Sequence, residues 1–453
     1  MLIKRQTIGQ VPKGLRGFQV MIGNCDENLL VCLCSLEKGG MVFMSGKAGP
    51  TFDAIPQARF VNKGHSLAYC GTKDDKSSVV VNGEVIDVYD WVGKFSISRD
   101  ESSIAYPVMR ESPSRQEYKM VIDGVPGRAF INIGEAVWHP KELLLAYMAE
   151  EGKSERVVIG DNLLPAFERV RGLQFSPQGE LYYWGFKEGN WLLNNSKKEI
   201  AVSEGEDPPN FGGILFGPDD TLGYWACKNG KWFVRYGDLS YGPWSGFQRI
   251  VGSPMLFGDH NSIGYVVEQD CRVQVCKNDH AGPEFDAVGR PICNGGEIAY
   301  KARLKHQEFL VIDNNISSKR YEVIWPEERE FATYLEDIPI ISPKSKKIAF
   351  LASLKDGQTI VEAGQEQLIY QRISGQPTFS GETDRLVYGG QNGMESYVVV
   401  DTETIGPFDE IVSAKSSSGF IMWNWIPEFL ENGTKLKFFT VTGDKIDKCV
   451  VEL

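Results

Sequence analysis

A short unit is repeated along the chain, and that repeat limits the fold more than any other feature of the sequence. LQFSPQGELYYWG, residues 173–185, joins an aromatic to a polar turn and then to an apolar run centred on Tyr183. Comparable stretches centre on Tyr69, Tyr106, Tyr147, Tyr224, Tyr265, Tyr300, Phe350, Tyr388 and Phe438. Successive anchors lie 37, 41, 36, 41, 41, 35, 50, 38 and 50 residues apart. A weaker copy, VMIGNCDENLLVCLC, precedes them, giving eleven.

Two further patterns lie between the anchors. One is an aromatic, usually an acid, then an aliphatic: Phe52-Asp53, Tyr89-Asp90, Phe167-Glu168, Phe285-Asp286, Tyr321-Glu322 and Phe408-Asp409. The other is a β-branched run entering a turn, as in SVVVNGE, KMVIDGV, FLVIDNN and YVVVDTE. Each unit of about 40 residues therefore holds four short strands divided by Gly, Asn and Asp turns, the period of a propeller blade.

The F-S-P-x-G-x-L-x-Y copies resemble PD-type β-propeller repeats, the group that includes TolB-like propellers and is distantly related to WD-repeat propellers. Arg99 and Asn294 stand where that pattern has Pro. The resemblance implies an all-β chain of about eleven four-stranded blades and is almost silent on activity. KRQTIGQV near the N-terminus reads as an outermost strand that completes a blade with DKCVVEL at the C-terminus, removing open edges.

Eleven blades exceed the four to eight usual in one ring, so the expectation is two fused propellers. The break falls in KKEIAVSEGEDPPNFGG, residues 197–213, where the aromatic-acid pattern fails. Residues 1–205 would then form about five blades, and 206–453 about six, closed by the N-terminal strand. The alternative is one large closed ring.

With a net charge of −12 and no Lys/Arg-rich block, nucleic acid and anionic membrane surfaces are poor partners. No run of 18 apolar residues or signal-peptide pattern is present, and the nine cysteines are an odd set within strand-like segments. These features predict a cytoplasmic protein with reduced thiols.

The sequence contains no nucleophile elbow, P-loop or dinucleotide fingerprint, so no cofactor is expected. Among the five histidines, three sit in repeat turns, where a solvated turn residue is the ordinary role. Cys271, Cys276, His280 and Cys293 have a tolerable zinc spacing, but Cys271 and Cys276 are five apart on a strand and so face opposite ways. The repeated acid either caps a turn or pairs locally; a carboxylate ring for a cation or basic partner is the other option.

What remains is a binding surface, and a protein partner is the expectation. Loops after the anchor strands, among them GTKDDKS, MRESPSRQ and AEEGKS, vary most in length and charge. Arg110, Arg115 and Lys153 lie there, while Trp191 and Trp232, just after matching loops, are candidate anchors. The sequence thus favours a non-enzymatic interaction scaffold over an enzyme or glycan binder using the central funnel.

Overall fold

The computed structural model describes residues 3–10, 18–22, 30–35, 39–44, 46–112, 115–206, 214–217, 219–244, 249–256, 262–269, 272–294, 297–305, 307–317, 321–322, 334–335, 339–412 and 427–453. Among them, regular structure is strand, interrupted only by short 3-10 turns. The strands form eleven sheets, in chain order from sheet 1 at residues 18–52 to sheet 11 at 410–452. Most are four-stranded antiparallel meanders, the blades of a β-propeller. The eleven units read from the sequence are these eleven sheets.

The N-terminal strand Ile3–Gln10 does not join sheet 1. It pairs antiparallel with Lys445–Glu452, from Ile3 opposite Val451 to Gln10 opposite Lys445. The two chain ends therefore complete sheet 11, as expected, and Lys445–Glu452 keeps no open edge.

Neighbouring sheets meet through one repeated joint. At most junctions the aromatic near the end of the outer strand stacks edge-on against the anchor of the next sheet. Phe52 meets Tyr69 at 6.2 Å, Phe130 meets Tyr147 at 6.3 Å, and Phe167 meets Tyr183 at 6.0 Å. Phe285 with Tyr300, Tyr321 with Phe350, and Phe408 with Phe438 repeat it. Tyr89 joins the cluster of Tyr106, and Tyr370 that of Tyr388.

The residue two past the anchor must leave room for that ring. A Cβ added at Gly71 would lie 2.3 Å from Phe52, and one at Gly185 would lie 2.4 Å from Phe167. At Gly390 the same addition meets Tyr370 at 2.6 Å. Glycine in AYCG, YYWG and VYGG is thus dictated by the neighbouring sheet.

The remaining repeated polar residues close turns. Buried Ser98, Ser176, Ser342 and Ser380 each accept, through Oγ, the backbone N–H of Ser103, Glu180, Lys347 and Arg385 respectively. His139 does the same work with Nδ1, accepting from Glu142 at 2.9 Å. Turn residues with positive φ after the third strand hold the start of the second: Asn82 Oδ1 accepts from Leu67 N, Asp123 from Ile104 N, and Asp401 from Leu386 N. Asn and Asp suit both demands, because they tolerate the left-handed region and carry the acceptor. Ala363 occupies the equivalent turn at φ 47° without that side-chain bond.

Candidate functional site

The predicted anchor tryptophan Trp191 is not a surface residue: it is 1% exposed. Its indole Nε1 donates to the Glu206 carbonyl at 3.2 Å, and Arg169 stacks over its ring. The match of Trp191 with Trp232 is correct, since they pair with Phe186 and Cys227 at the same register of consecutive sheets. The expected exposure fails because a third-strand residue directly after the hairpin still lies beneath the adjoining sheet. Trp232 is half-buried against the cluster of Trp225, Tyr236 and Tyr265.

The three basic candidates lie at the second-to-third hairpins of sheets 3 and 4. Arg110 bonds both carboxylate oxygens of Asp87 at 2.9 and 3.0 Å and stacks on Tyr89. Arg115 pairs with Glu117 at 2.6 Å, and Lys153 is exposed. Exposed pairs of this kind contribute at most about 1 kcal/mol, so neither arginine is held strongly away from a partner.

The repeated acids are turn caps. In each described case, the side chain reaches across the joint and accepts the N–H five residues past the next anchor. Asp53 takes Asp74 N, Asp90 takes Glu111 N, Glu168 takes Glu188 N, Asp286 takes Lys305 N, and Asp409 takes Gly443 N. Gln371 holds Gly393 N in the same way, so the position needs an acceptor rather than a charge. The side chain of Glu322 lies outside the described residues. In the possible zinc set, Cys271 is also outside them, and the register pairing Cys276 with Ala281 and Lys277 with His280 turns Cys276 and His280 to opposite sides. Burial pushes the Cys276 thiol up to about 12, the environment of a core residue.

That cap also exposes a copy hidden from the sequence scan. Glu204 Oε2 accepts from Asn229 N, five past Tyr224, so Ser203-Glu204 is the aromatic-acid pair of the junction between sheets 5 and 6. Ser203 stands where the aromatic belongs. It is fully buried, and its Oγ accepts from Cys227 N at 2.9 Å. At the following junction the position is filled by Trp244, 6.0 Å from Tyr265. Among the junctions with described side chains, only the one between sheets 5 and 6 lacks its ring.

A cleft opens there. It measures about 390 Å³ and is walled by Ala201, Val202, Tyr224, Ala226, Phe233 and Arg235, with Lys228 and Asp238 also on its lining. That size lies within the range of about 300–1,000 Å³ typical of ligand pockets. Tyr224 is half-buried, whereas every other described anchor is 5% exposed or less. Trp184 covers one side of it at 6.2 Å. Burial raises the Tyr224 phenol, and the Arg235 charge partly opposes that rise. Arg235 itself lies over the Phe233 ring at 5.6 Å, giving the wall two aromatic faces and a cation.

No protein-family model and no curated protein matches this sequence. Several solved structures align with it. The Dos1 propeller is 9% identical over 79% of this chain and 92% of its own, with a TM-score of 0.33. The β-propeller domain of the trilobed protease from Pyrococcus furiosus is 14% identical over 70% and 96%, with a TM-score of 0.26. TolB from Acinetobacter baumannii is 11% identical over 56% and 77%, also with a TM-score of 0.26. The likeness is one of fold, a succession of four-stranded propeller sheets that the strand pairing here displays independently.

Proposed function

We propose that the protein is a non-enzymatic binding scaffold that holds a protein partner at the junction of sheets 5 and 6. The carrying observation is the cleft between sheets 5 and 6, with Tyr224, Phe233 and Arg235 on its wall. Elsewhere the repeated acids, serines and turn residues serve the fold itself. Aromatic and Arg side chains are the groups that most often dominate binding energy at an interface. Arg115 and Lys153, on hairpins of nearby sheets, would add contacts at the rim. A rigid frame of this kind reduces the ordering that association demands.

The test compares the natural chain with Lys228→Glu/Arg235→Glu in affinity capture from its own cell extract. The expected result is one protein retained by the natural chain and lost by the variant, with equal melting temperatures. Identical captures would refute the proposed surface.

Chemistry in the central channel has one observation in its favour. Glu410, on the innermost strand of sheet 11, is pushed up to about 7 by burial. No described acid–base partner converges on it, so binding remains the stronger proposal.

We infer further that the sheets follow one another in a single ring. Sheet 5 packs on sheet 6 across the stretch where a break was expected, through Glu199–Glu204 against Leu222–Lys228. The inner strand of sheet 1, Phe18–Ile22, also packs against that of sheet 11, Glu410–Val412. Two rings would instead set sheet 1 beside sheet 5.

A further inference from the structure

We propose that the cleft between sheets 5 and 6 recognises an aromatic side chain followed by an acidic residue, presented by an extended segment of the partner. This deepens the scaffold proposal and rests on it. The protein displays the complementary chemistry itself, since Phe52-Asp53, Phe167-Glu168, Phe285-Asp286 and Phe408-Asp409 fill the equivalent place at other junctions.

The floor of the cleft accepts a ring. Its position two past the anchor is Ala226, and Ala149 and Ala302 stand at that position where Phe130 and Phe285 are seated. The ring would cover the open side of Tyr224, which Trp184 leaves free, and would replace water with edge-on aromatic contact. Burying an aromatic in such a slot supplies the apolar anchor typical of an interface hot spot.

Charge sets the neighbouring residue and the direction. The cap site that takes the acid at other junctions is already filled by Glu204 on Asn229 N. A partner's carboxylate therefore meets Arg235 or Lys228, both on the cleft lining. Lys228 belongs to the second-to-third hairpin and Asp238 to the third-to-fourth hairpin, so they mark opposite ends of the groove. An acid near Asp238 would be repelled, which orients the segment with its acidic residue toward Lys228.

The probe is a fluorescent peptide of sequence Gly-Pro-Glu-Phe-Asp-Ala-Val, the chain's own residues 282–288. Binding is read by anisotropy. Saturable binding is expected, weakened at least about tenfold when Phe in the peptide becomes Ala, and similarly by Arg235→Glu in the protein. Ser203→Phe should restore the missing ring and abolish binding. If that variant fails to fold, Ala226→Leu fills the slot from the other wall and must also abolish binding.

Peptide binding indifferent to its Phe, or surviving both filling variants, overturns the proposal. So does binding that appears only after Phe211→Ala, because the slot would then belong to a ring of the same chain. Loss of a captured partner in Lys228→Glu/Arg235→Glu, together with no peptide binding, would leave the scaffold standing and remove only the aromatic-acid chemistry.

Discussion

Tyr300→Ala is expected to destabilise the protein by about 3–5 kcal/mol, and Tyr224→Ala by less than half as much. Tyr300 is fully buried, packed edge-on against Phe285 at 6.1 Å and surrounded by Val273, Val311 and Ala302. Removing its ring leaves a cavity that two adjoining sheets cannot collapse to fill. Tyr224 already borders a cleft and has no outer-strand ring against it, so less packing is lost there.

Tyr300→Phe is the control. The hydroxyl is buried with no hydrogen-bond partner among the described residues, so its loss should be close to neutral or slightly stabilising. Chemical denaturation followed by hydrogen exchange in sheets 6 and 8 separates the effects, because a repeat array need not unfold as one unit. Equal costs for the two alanine variants would mean that the ring-on-anchor joint is not what binds sheet to sheet.

Most of the architecture was legible because every sheet solves the same packing problem with the same residues. The Tyr and Phe anchors, the aromatic-acid pairs and the Asn/Asp turns each mark a contact repeated in the structure. Pairing of the chain ends was legible too, since Ile3–Gln10 carries the pattern of an outer strand. What escaped were the copies that depart from the pattern, Phe130, Trp244 and Tyr370-Gln371, and above all Ser203-Glu204. Ser203-Glu204 has no aromatic to catch the eye, and its membership in the series appears only when Glu204 is seen on Asn229 N.

The exposure expected of Trp191 failed for a related reason. Trp191 and Trp232 stand out by residue type, but strand alternation and the neighbouring sheet decide exposure. Trp91, 41% exposed on the inner strand of sheet 3, carried no repeat signal that would distinguish it from a core residue. Arg235 was equally silent, because its importance comes from lining a space between two sheets that no residue pattern marks.

Deleting residues 3–10 should have the second large effect. It strips Lys445–Glu452 of its antiparallel partner from Ile3 opposite Val451 to Gln10 opposite Lys445. Arg5, over the Phe408 ring at 5.1 Å, ties the same strand to sheet 10. At about 0.5–1.5 kcal/mol net for each ladder bond, several kcal/mol are lost even before side-chain packing is counted. The exposed edge offers unpaired N–H and C=O groups to other chains. The truncated protein is therefore expected to melt lower and to associate during size exclusion with light scattering. A synthetic peptide of residues 3–10 should restore the monomer by adding back as a strand. A truncated chain with unchanged melting and mass would contradict the pairing.

The central claim is that one joint, repeated from sheet to sheet, carries the chain around a single course of eleven sheets with an open slot between the fifth and sixth. Single-particle electron microscopy viewed down the channel tests this most directly. One ring of eleven sheets is predicted, with sheet 1 beside sheet 11 and continuous density from sheet 5 to sheet 6. Two smaller rings parting within residues 197–213, with sheet 1 against sheet 5, would contradict it.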